Sequence, residues 1–487
     1  MRKMLLYWKN KISAVIAFFI LISVLLFLFI SPLEKDYFKT ILSSLCVNAR
    51  EVVGLVCLFC LIVLLFFVFT KYGNIRLGGP DAKKEFSNFS WISCLFMAGC
   101  GVGIVFYSQE AILHMHNNPY WGKVGGSPES VAYSLTIFNW TLNAWSQFGM
   151  LGLIIGYFHF NKHKELKLSS ILPVNTNIWI RRFIDIFMAL GVIAGLTTSL
   201  GLGVIQFKSG LSYVFKTDIN PYILILIIGL IATWSVTTGL KRGVKWLSDL
   251  SVWLVILLLL ILLGLSYGKL HISGFTEYIY SGIYQFTKNF IVYNDVFDDS
   301  SDLWAANWAV FYQLWFAAWA AFVAVFVAKI SKGRTIREFI IGVVGFPTLF
   351  TVLWFGIFGR IGLNYQEVLY PVMQSDITKS LFVFLQQITT SGGYFILSAL
   401  VMIILCLLFI TSSDSGSYVV ALMLSETGKI SYRDKIFWSS LQCISAMALY
   451  ACGGLALIQS VSVIMGIIVI VMIFFGSIYF IFTILKK

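Results

Sequence analysis

Long apolar segments recur along the whole chain of 487 residues, and they restrict its fold more than any other feature. A helix needs about 20 consecutive apolar residues to cross the hydrocarbon core of a bilayer. Only 12% of the residues are charged, whereas a soluble domain averages about a quarter. The sequence therefore predicts an all-α polytopic membrane protein with about twelve transmembrane helices.

The predicted spans lie near residues 12–31, 52–70, 90–109, 132–158, 183–206, 222–239, 250–267, 304–328, 339–358, 393–412, 436–452 and 461–484. The first span follows a basic segment and is too long for the core of a signal peptide, so we interpret it as retained. The longest predicted loop, 268–303, lies between spans seven and eight. An even number of spans places both termini on the same side of the membrane.

The basic residues indicate which side that is. The net charge is +13, and most of the 35 Lys and Arg residues lie at the termini or in loops after even-numbered spans. This distribution predicts a bacterial inner-membrane protein with cytoplasmic N- and C-termini. Because topology accounts for the basic excess, we expect membrane lipid and not nucleic acid as a partner.

Signatures of catalysis are missing from the sequence. It contains no nucleophile elbow, Walker loop or zinc motif, so we predict neither an enzyme nor an organic cofactor. Most of the eight cysteines lie inside predicted spans and are interpreted as small apolar side chains. His114 and His116 share one loop, but this spacing alone does not predict a metal site.

The third span contains three glycines within five residues, at Gly99, Gly101 and Gly103. Each glycine destabilises a helix by about 1 kcal/mol relative to alanine. One interpretation is close packing of small residues against a neighbouring span. The other is a discontinuous helix whose freed carbonyl groups bind a substrate or cation near the bilayer midplane.

Aromatic residues follow helical spacing along the eighth span: Trp304, Trp308, Tyr312, Trp315, Trp319, Phe322 and Phe326, flanked by Phe316. Trp315 and Trp319 lie too deep for an interfacial aromatic belt. Span four adds Trp140, Trp145 and Phe148. Two such faces could enclose a quaternary ammonium group by cation–π attraction, of about 2 kcal/mol per desolvated ring; ordinary packing is the alternative.

A cluster of hydroxyl groups marks the predicted end of span ten, in the segment 411–417. Such groups commonly bond back to their own helix or to a neighbouring one. Oxygen atoms are also the ligands that a hard monovalent cation requires, so both interpretations stay open.

Four segments, in this order along the chain, resemble motifs of the betaine/choline/carnitine transporters: 75–79 (IRLGG), 98–107 (AGCGVGIVFY), 328–339 (AKISKGRTIREF) and 411–416 (TSSDSG). The resemblance extends from Gly73 onward. It implies a fold like that of the leucine transporter, with two peripheral spans in 1–89 and inverted five-helix repeats in 90–267 (spans 3–7) and 268–487 (spans 8–12). A homotrimer is common in that family.

The function implied by this resemblance is secondary transport of a quaternary-ammonium or betaine-like solute by alternating access. A sodium-independent exchanger and a solute sensor that does not transport are the alternatives. The residues that the resemblance assigns to the substrate are Trp140, Trp145, Phe148, Trp315, Phe316 and Trp319, with Gly101 and Gly103. Phe148 and Phe316 replace a tyrosine and a tryptophan of the family's usual pattern.

The resemblance also implies a sodium site formed by Met97, Cys100, Thr411 and Ser412. A second sodium site of the family would use threonines on span five, where this chain has Val192 and Leu196. Because valine and leucine offer no side-chain oxygen, we predict coupling to one sodium ion at most.

Overall fold

The computed structural model describes residues 11–30, 35–117, 123–173, 175–236, 245–266, 272–293 and 306–486. Within these ranges the regular structure is helical, apart from an isolated antiparallel bridge between Arg76 and Thr335. The predicted all-α fold is therefore confirmed. The division into inverted repeats and the three predicted sections of the chain remain predictions.

The α-helices of the described residues are, in order, α1 Ile12–Ile30, α2 Lys35–Phe69, α3 Asn88–Cys100, α4 Gly103–Phe106, α5 Glu110–His116, α6 Pro128–Trp140, α7 Leu142–Lys162, α8 Ile178–Phe215, α9 Pro221–Ser235, α10 Lys245–Ser266, α11 Ile272–Tyr293, α12 Phe311–Ile330, α13 Ile336–Ile340, α14 Phe346–Leu363, α15 Gln366–Ile388, α16 Ser391–Met423 and α17 Tyr432–Leu485. Short 3-10 turns occupy Lys71–Asn74 and Leu168–Ile171, and π-helical turns occupy Ala306–Val310 and Ile341–Gly345.

Each of the twelve predicted spans falls on one or two of these helices. Eight helical segments of the described residues are long and apolar enough to cross a membrane. Two further spans correspond to the shorter apolar helices α3 and α9. The remaining two are span four, which is divided into α6 and α7, and span eleven, which forms the first part of α17.

The longest helical segment, α17, contains 54 residues, which would extend about 80 Å if straight. Just before its start, Ser425 accepts a hydrogen bond from Lys167. Near its end, a Cβ atom at Gly476 would lie 3.7 Å from Leu168, the next residue after Lys167. The middle of α17 instead contacts the start of α9, through the ring of Tyr450. Both ends of α17 thus lie near Lys167 and Leu168, while its middle lies at the start of α9. The chain therefore turns back within α17, as the two predicted spans require.

Burial separates central helices from peripheral ones. We compare the most apolar 18-residue stretch of each span. In the span that contains α12, 100% of these residues are buried, and in α8 94% are buried, but in α1 only 17% are. Exposed apolar side chains cover α1, α9 and α10, for example Phe29, Leu230 and Leu260. These surfaces suit contact with lipid, and α12 lies at the centre of the helix bundle.

Several predicted boundaries are wrong. Helix α2 begins at Lys35, well before the predicted start at residue 52. The prediction missed its first turns because they are polar. The predicted loop 268–303 contains the amphipathic helix α11, and its acidic stretch after residue 293 lies outside the described residues. Helix α16 continues to Met423, so the hydroxyl cluster lies inside a helix and not at its end.

Two of the motifs that carried the resemblance dock onto each other although they lie far apart in the sequence. Backbone hydrogen bonds join Leu77 to both Gly333 and Arg334, at 2.9 Å each. The guanidinium group of Arg334 lies 3.8 Å from the centre of the Trp91 ring and donates to the side chain of Asn88. The segment 328–339, which follows span eight, therefore docks onto the start of span three.

Gly333 makes this docking feasible, and its replacement by alanine should destabilise the protein. Its φ is +79°, and an added Cβ atom would overlap the backbone of Lys83. Gly428 is a matched control, because its φ is +67° but nothing lies within 4 Å of an added Cβ atom. We expect Gly428→Ala to show only backbone strain of about 1–2 kcal/mol, and Gly333→Ala to add an overpacking cost of about 1–3 kcal/mol. Equal melting temperatures for the two purified variants would contradict this docking.

Candidate functional site

Span three breaks in its middle. Helix α3 ends at Cys100, and Gly101 adopts φ 54° and ψ −162°, outside the helical region. Helix α4 then begins at Gly103. The predicted discontinuous helix is therefore present, and Gly101 supplies the backbone conformation that other residues rarely adopt.

Each glycine of this segment also faces a tryptophan ring. A Cβ atom at Gly99 would overlap the ring of Trp145, and one at Gly101 would lie 3.0 Å from Trp319. A Cβ atom at Gly103 would lie 2.8 Å from Trp315 and 3.0 Å from Trp140. The segment therefore both breaks the helix and packs closely against four rings, while binding by its freed carbonyl groups remains a prediction.

A second break lies in span four, which the sequence predicts as one helix. Helix α6 ends at Trp140 and α7 begins at Leu142, while Thr141 between them has φ −114° and ψ −117°. The Thr141 hydroxyl donates to the carbonyl of Ile137 at 2.5 Å. The break thus follows directly after Trp140, one of the residues predicted to bind substrate.

The two breaks flank a small buried cavity. It is lined by Gly99, Cys100, Gly103, Trp140, Ser199, Trp315, Phe316 and Trp319. About 270 Å³ of space lies between its atoms, but the rings approach so closely that about one water molecule fits. Every ring that lines it is at most 6% exposed. This structure therefore represents a closed form of the cavity.

The predicted aromatic residues gather at this cavity, although not all line it. The ring centre of Trp140 lies 5.6 Å from that of Phe316 and 6.2 Å from that of Trp315. Phe148 lies behind Phe316, with ring centres 5.7 Å apart, and Trp145 packs on Phe148 at 5.3 Å. Trp145 and Phe148 therefore form a second layer that supports the lining rings.

Sequence reasoning did not identify Ser199 as a site residue. Its side chain lines the cavity, and its hydroxyl has no hydrogen-bond partner among the described residues. The indole N–H of Trp315 likewise has no such partner. Two buried donors at one cavity suit an acceptor group on a ligand. The run of three hydroxyl residues at 197–199, inside an apolar span, was the signal that could have revealed Ser199.

Two of the four predicted sodium ligands, Met97 and Ser412, come into contact near the end of α3. The Ser412 hydroxyl lies 3.5 Å from the carbonyl oxygen of Met97, which joins α16 to α3. Ser412 donates to Leu408 at 2.8 Å, and Thr411 donates to the carbonyl groups of Leu407 and Leu408 at 2.9 and 3.0 Å. Both hydroxyl groups therefore bond within their own helix, and that of Ser412 also contacts the broken span.

Apolar side chains occupy the positions that correspond to the second sodium site. Val192 and Leu196 are both buried on α8. The side chain of Leu196 fills the space in front of Gly416 on α16, where an added Cβ atom would overlap it. This region offers apolar contact and no side-chain oxygen from these two residues.

Gly103→Ala should disturb the cavity without removing any polar group. The added methyl group would press on Trp315 and Trp140 together, and buried rings have little freedom to move. We expect about tenfold weaker solute binding, measured by tryptophan fluorescence, for a cost near 1.4 kcal/mol. Gly191→Ala is the control, since its methyl group would make ordinary contact at 3.5 Å with Val469. Equal affinities in the two variants would contradict the arrangement.

Comparisons with known proteins identify the family of the chain. The family model of the betaine/carnitine/choline transporters matches residues 11–487. The chain therefore belongs to this family of membrane transporters.

Individual relatives extend this result. A glycine betaine transporter of Acinetobacter baylyi is 32% identical over 83% of this chain, a match that spans 62% of that protein. The glycine betaine transporter OpuD of Bacillus subtilis is 33% identical over 85% of this chain and 83% of its own length. Among solved structures, a Na+-coupled sialic acid symporter aligns with a TM-score of 0.44 and 14% identity, covering 85% of this chain and 81% of its own. At that score the alignment carries no conclusion about this chain.

Proposed function

We propose that the chain is a secondary transporter of quaternary-ammonium or betaine-like solutes. The observation that carries the proposal is the ring of Trp140, Trp315, Phe316 and Trp319 around one cavity at the break of span three. Aromatic faces attract a quaternary ammonium group without a hydrogen bond, which such a group cannot donate. Family membership and the glycine betaine transporters among the relatives support the same solute class.

The lining also suits the other end of such a solute. Among the described residues, no charged side chain lines the cavity. A charged group of the ligand would therefore contact only aromatic rings and neutral polar groups. The hydroxyl of Ser199 and the indole N–H of Trp315 would donate to a carboxylate or hydroxyl group of the solute. A zwitterion with one ammonium and one carboxylate group fits this arrangement.

The closed cavity and the two breaks support a mechanism of alternating access. A trimethylammonium group is larger than the single water that the closed cavity admits, so the rings must separate before a solute enters. The non-helical residues Gly101 and Thr141 are the positions where adjoining helices could tilt with little loss of hydrogen bonding. We propose that these two breaks act as hinges.

We also propose coupling to one sodium ion, held by the carbonyl groups of Met97 and Cys100 and by the hydroxyl groups of Thr411 and Ser412. The contact of Ser412 with Met97 supports this assignment. The packing of Leu196 against Gly416 supports the loss of a second ion. Further proposals are a bacterial inner membrane, cytoplasmic termini, surrounding lipid and a homotrimer.

Uptake by reconstituted protein tests this function. Purified protein in proteoliposomes should accumulate radiolabelled glycine betaine, and unlabelled betaine, choline, carnitine and ectoine should be compared as competitors. A transporter shows time-dependent uptake that competing solutes reduce. Binding without uptake would instead identify a sensor, and uptake only with solute preloaded inside the vesicles would identify an exchanger.

A further inference from the structure

The ring of Tyr107 packs on the aromatic cavity from the side of helix α5. Tyr107 follows α4 and lies one helical turn beyond Gly103, whose carbonyl group accepts a hydrogen bond from the Tyr107 amide at 2.9 Å. Its ring centre lies 6.2 Å from the ring centres of both Trp140 and Trp315, which line the cavity. Tyr107 does not line the cavity itself. It therefore forms an outer layer on two of the cavity rings.

The surface of the protein lies just beyond this layer. Tyr107 is 7% exposed, whereas Gln459, at the start of the last span, is partly exposed. Helix α5, which follows Tyr107 in the chain, ends at the exposed residue His116. Tyr107 and Gln459 therefore lie between the cavity rings and the surface.

One hydrogen bond joins these two residues. The side-chain amide nitrogen of Gln459 donates to the hydroxyl oxygen of Tyr107 over 3.1 Å. The bond links the broken span three to α17, although the two residues are 352 positions apart in the sequence. Because a hydrogen bond is lost once its atoms are about 3.6 Å apart, a small displacement of either segment breaks it.

The backbone around Tyr107 suits such a displacement. Span three is non-helical at Gly101, and α4 contains only four residues. Tyr107 itself has φ −96° and ψ 20°, and α5 begins only at Glu110. A short helical piece bounded by non-helical residues can tilt without breaking a long run of helical hydrogen bonds. Tyr107 can therefore move together with α4.

We propose that Tyr107 and Gln459 form a latch that closes one route into the aromatic cavity. In the closed form, the Tyr107 ring covers Trp140 and Trp315, and the Gln459 amide holds this ring in place through its hydroxyl group. In the open form, the hydrogen bond is broken, and the ring moves away with α4. This inference rests on the proposed function, because it takes the cavity as the solute site. Both latch residues are positioning residues that act through the cavity rings.

The hydrogen bond sets part of the balance between the two forms. Water replaces the lost partners in the open form, so only the net contribution of the bond favours the closed form. One neutral hydrogen bond changes such an equilibrium by about fivefold. Removing either partner should therefore raise the population of the open form by about fivefold.

Cys100 reports on the opening, because it lines the cavity and is 6% exposed. Purified protein in detergent is treated with methanethiosulfonate ethyltrimethylammonium, a thiol reagent that carries a quaternary ammonium group. The Cys100 thiolate attacks the thiosulfonate sulfur, forms a mixed disulfide and displaces methanesulfinate. Mass spectrometry measures the labelling rate of Cys100, with the partly buried Cys406, which does not line the cavity, as internal reference. At low reagent concentration the labelling rate follows the population of the open form.

Two variants remove the hydrogen bond from either side. Tyr107→Phe keeps the ring and loses the hydroxyl group, whereas Gln459→Leu keeps a side chain of similar size and loses the amide. Each should label Cys100 about fivefold faster than the wild type. The double variant should be no faster than either single variant, because both lose the same bond.

Tyr213→Phe is the matched control. The Tyr213 hydroxyl also bonds to a glutamine, at 2.6 Å to Gln386, but neither residue lines the cavity. Its labelling rate at Cys100 should equal that of the wild type. A general loss of stability would accelerate labelling of Cys406 as well and lower the melting temperature, and we expect neither change in the latch variants.

The outcomes separate this inference from the proposed function. Unchanged Cys100 labelling in both single variants, or increases that multiply in the double variant, overturns the latch. Glycine betaine, choline or carnitine should slow Cys100 labelling in the wild type by occupying the cavity. Faster labelling in the latch variants with no protection by any of these solutes would support the opening movement and overturn the proposed function.

Discussion

Replacing Trp319 by alanine should weaken solute binding about five- to thirty-fold, which corresponds to the loss of about 1–2 kcal/mol from one desolvated ring. Trp319 lines the cavity and lies against both Gly101 and Gly195. Trp140→Ala should have at least the same effect, because it also removes a hydrogen-bond donor from the buried carboxylate of Glu110. Calorimetry with glycine betaine measures both variants.

The control for these variants is a tryptophan outside the cavity. Trp246 lies on α10 and is 64% exposed, so Trp246→Ala should keep wild-type affinity. Insertion and folding of all variants are checked by size-exclusion chromatography in detergent. If Trp319→Ala and Trp140→Ala both bind with wild-type affinity, the aromatic cavity is not the substrate site.

Thr411→Ala combined with Ser412→Ala should abolish sodium-dependent uptake. The two hydroxyl groups donate hydrogen bonds within α16, but a hydroxyl oxygen that donates its proton keeps lone pairs for a cation. With the carbonyl groups of Met97 and Cys100 they would form the proposed neutral oxygen site, which would suit a monovalent ion better than a divalent one. Wild-type uptake should therefore depend on sodium with a Hill coefficient of about 1, as expected for one ion at one such site.

Initial uptake across a sodium series, in the wild type and the double variant, decides this question. Ser445→Ala is a matched control, because this buried serine also bonds back to its own helix, at 2.8 Å to Leu441. It should retain sodium dependence. Sodium-independent uptake by the wild type would reject the coupling proposal and favour the exchanger, without affecting the assignment of the cavity.

The glycine run of span three shows where sequence reasoning succeeds and where it stops. Three glycines in five residues predict that the helix is weak at this point, because glycine destabilises helices wherever it occurs. The sequence left open whether the segment unwinds or packs closely. Its partners, Trp145, Trp315 and Trp319, come from other spans, so only the tertiary structure could show that it does both.

The break at Thr141 had no predictive signal at all. Neither Gly nor Pro lies at the junction between Trp140 and Leu142, so local propensity predicts an uninterrupted helix. Contacts across the bundle hold this segment instead, among them the bond from Trp140 to Glu110. Tertiary packing routinely overrides the weak preferences of single residues.

The sequence by itself determined the all-helical class and the approximate positions of the apolar helices. It could do so because a backbone in lipid must satisfy its own hydrogen bonds, which makes each span a local property of about 20 residues. The distribution of Lys and Arg predicts the orientation for a similarly local reason.

Only the tertiary structure decided how the site is built. Glu110 accepts hydrogen bonds from Asn139, 29 residues away, and from Tyr312, 202 residues away. No local pattern encodes a contact between residues so far apart. A buried carboxylate is stable only when several donors converge on it, and that convergence exists only once spans three, four and eight have packed together.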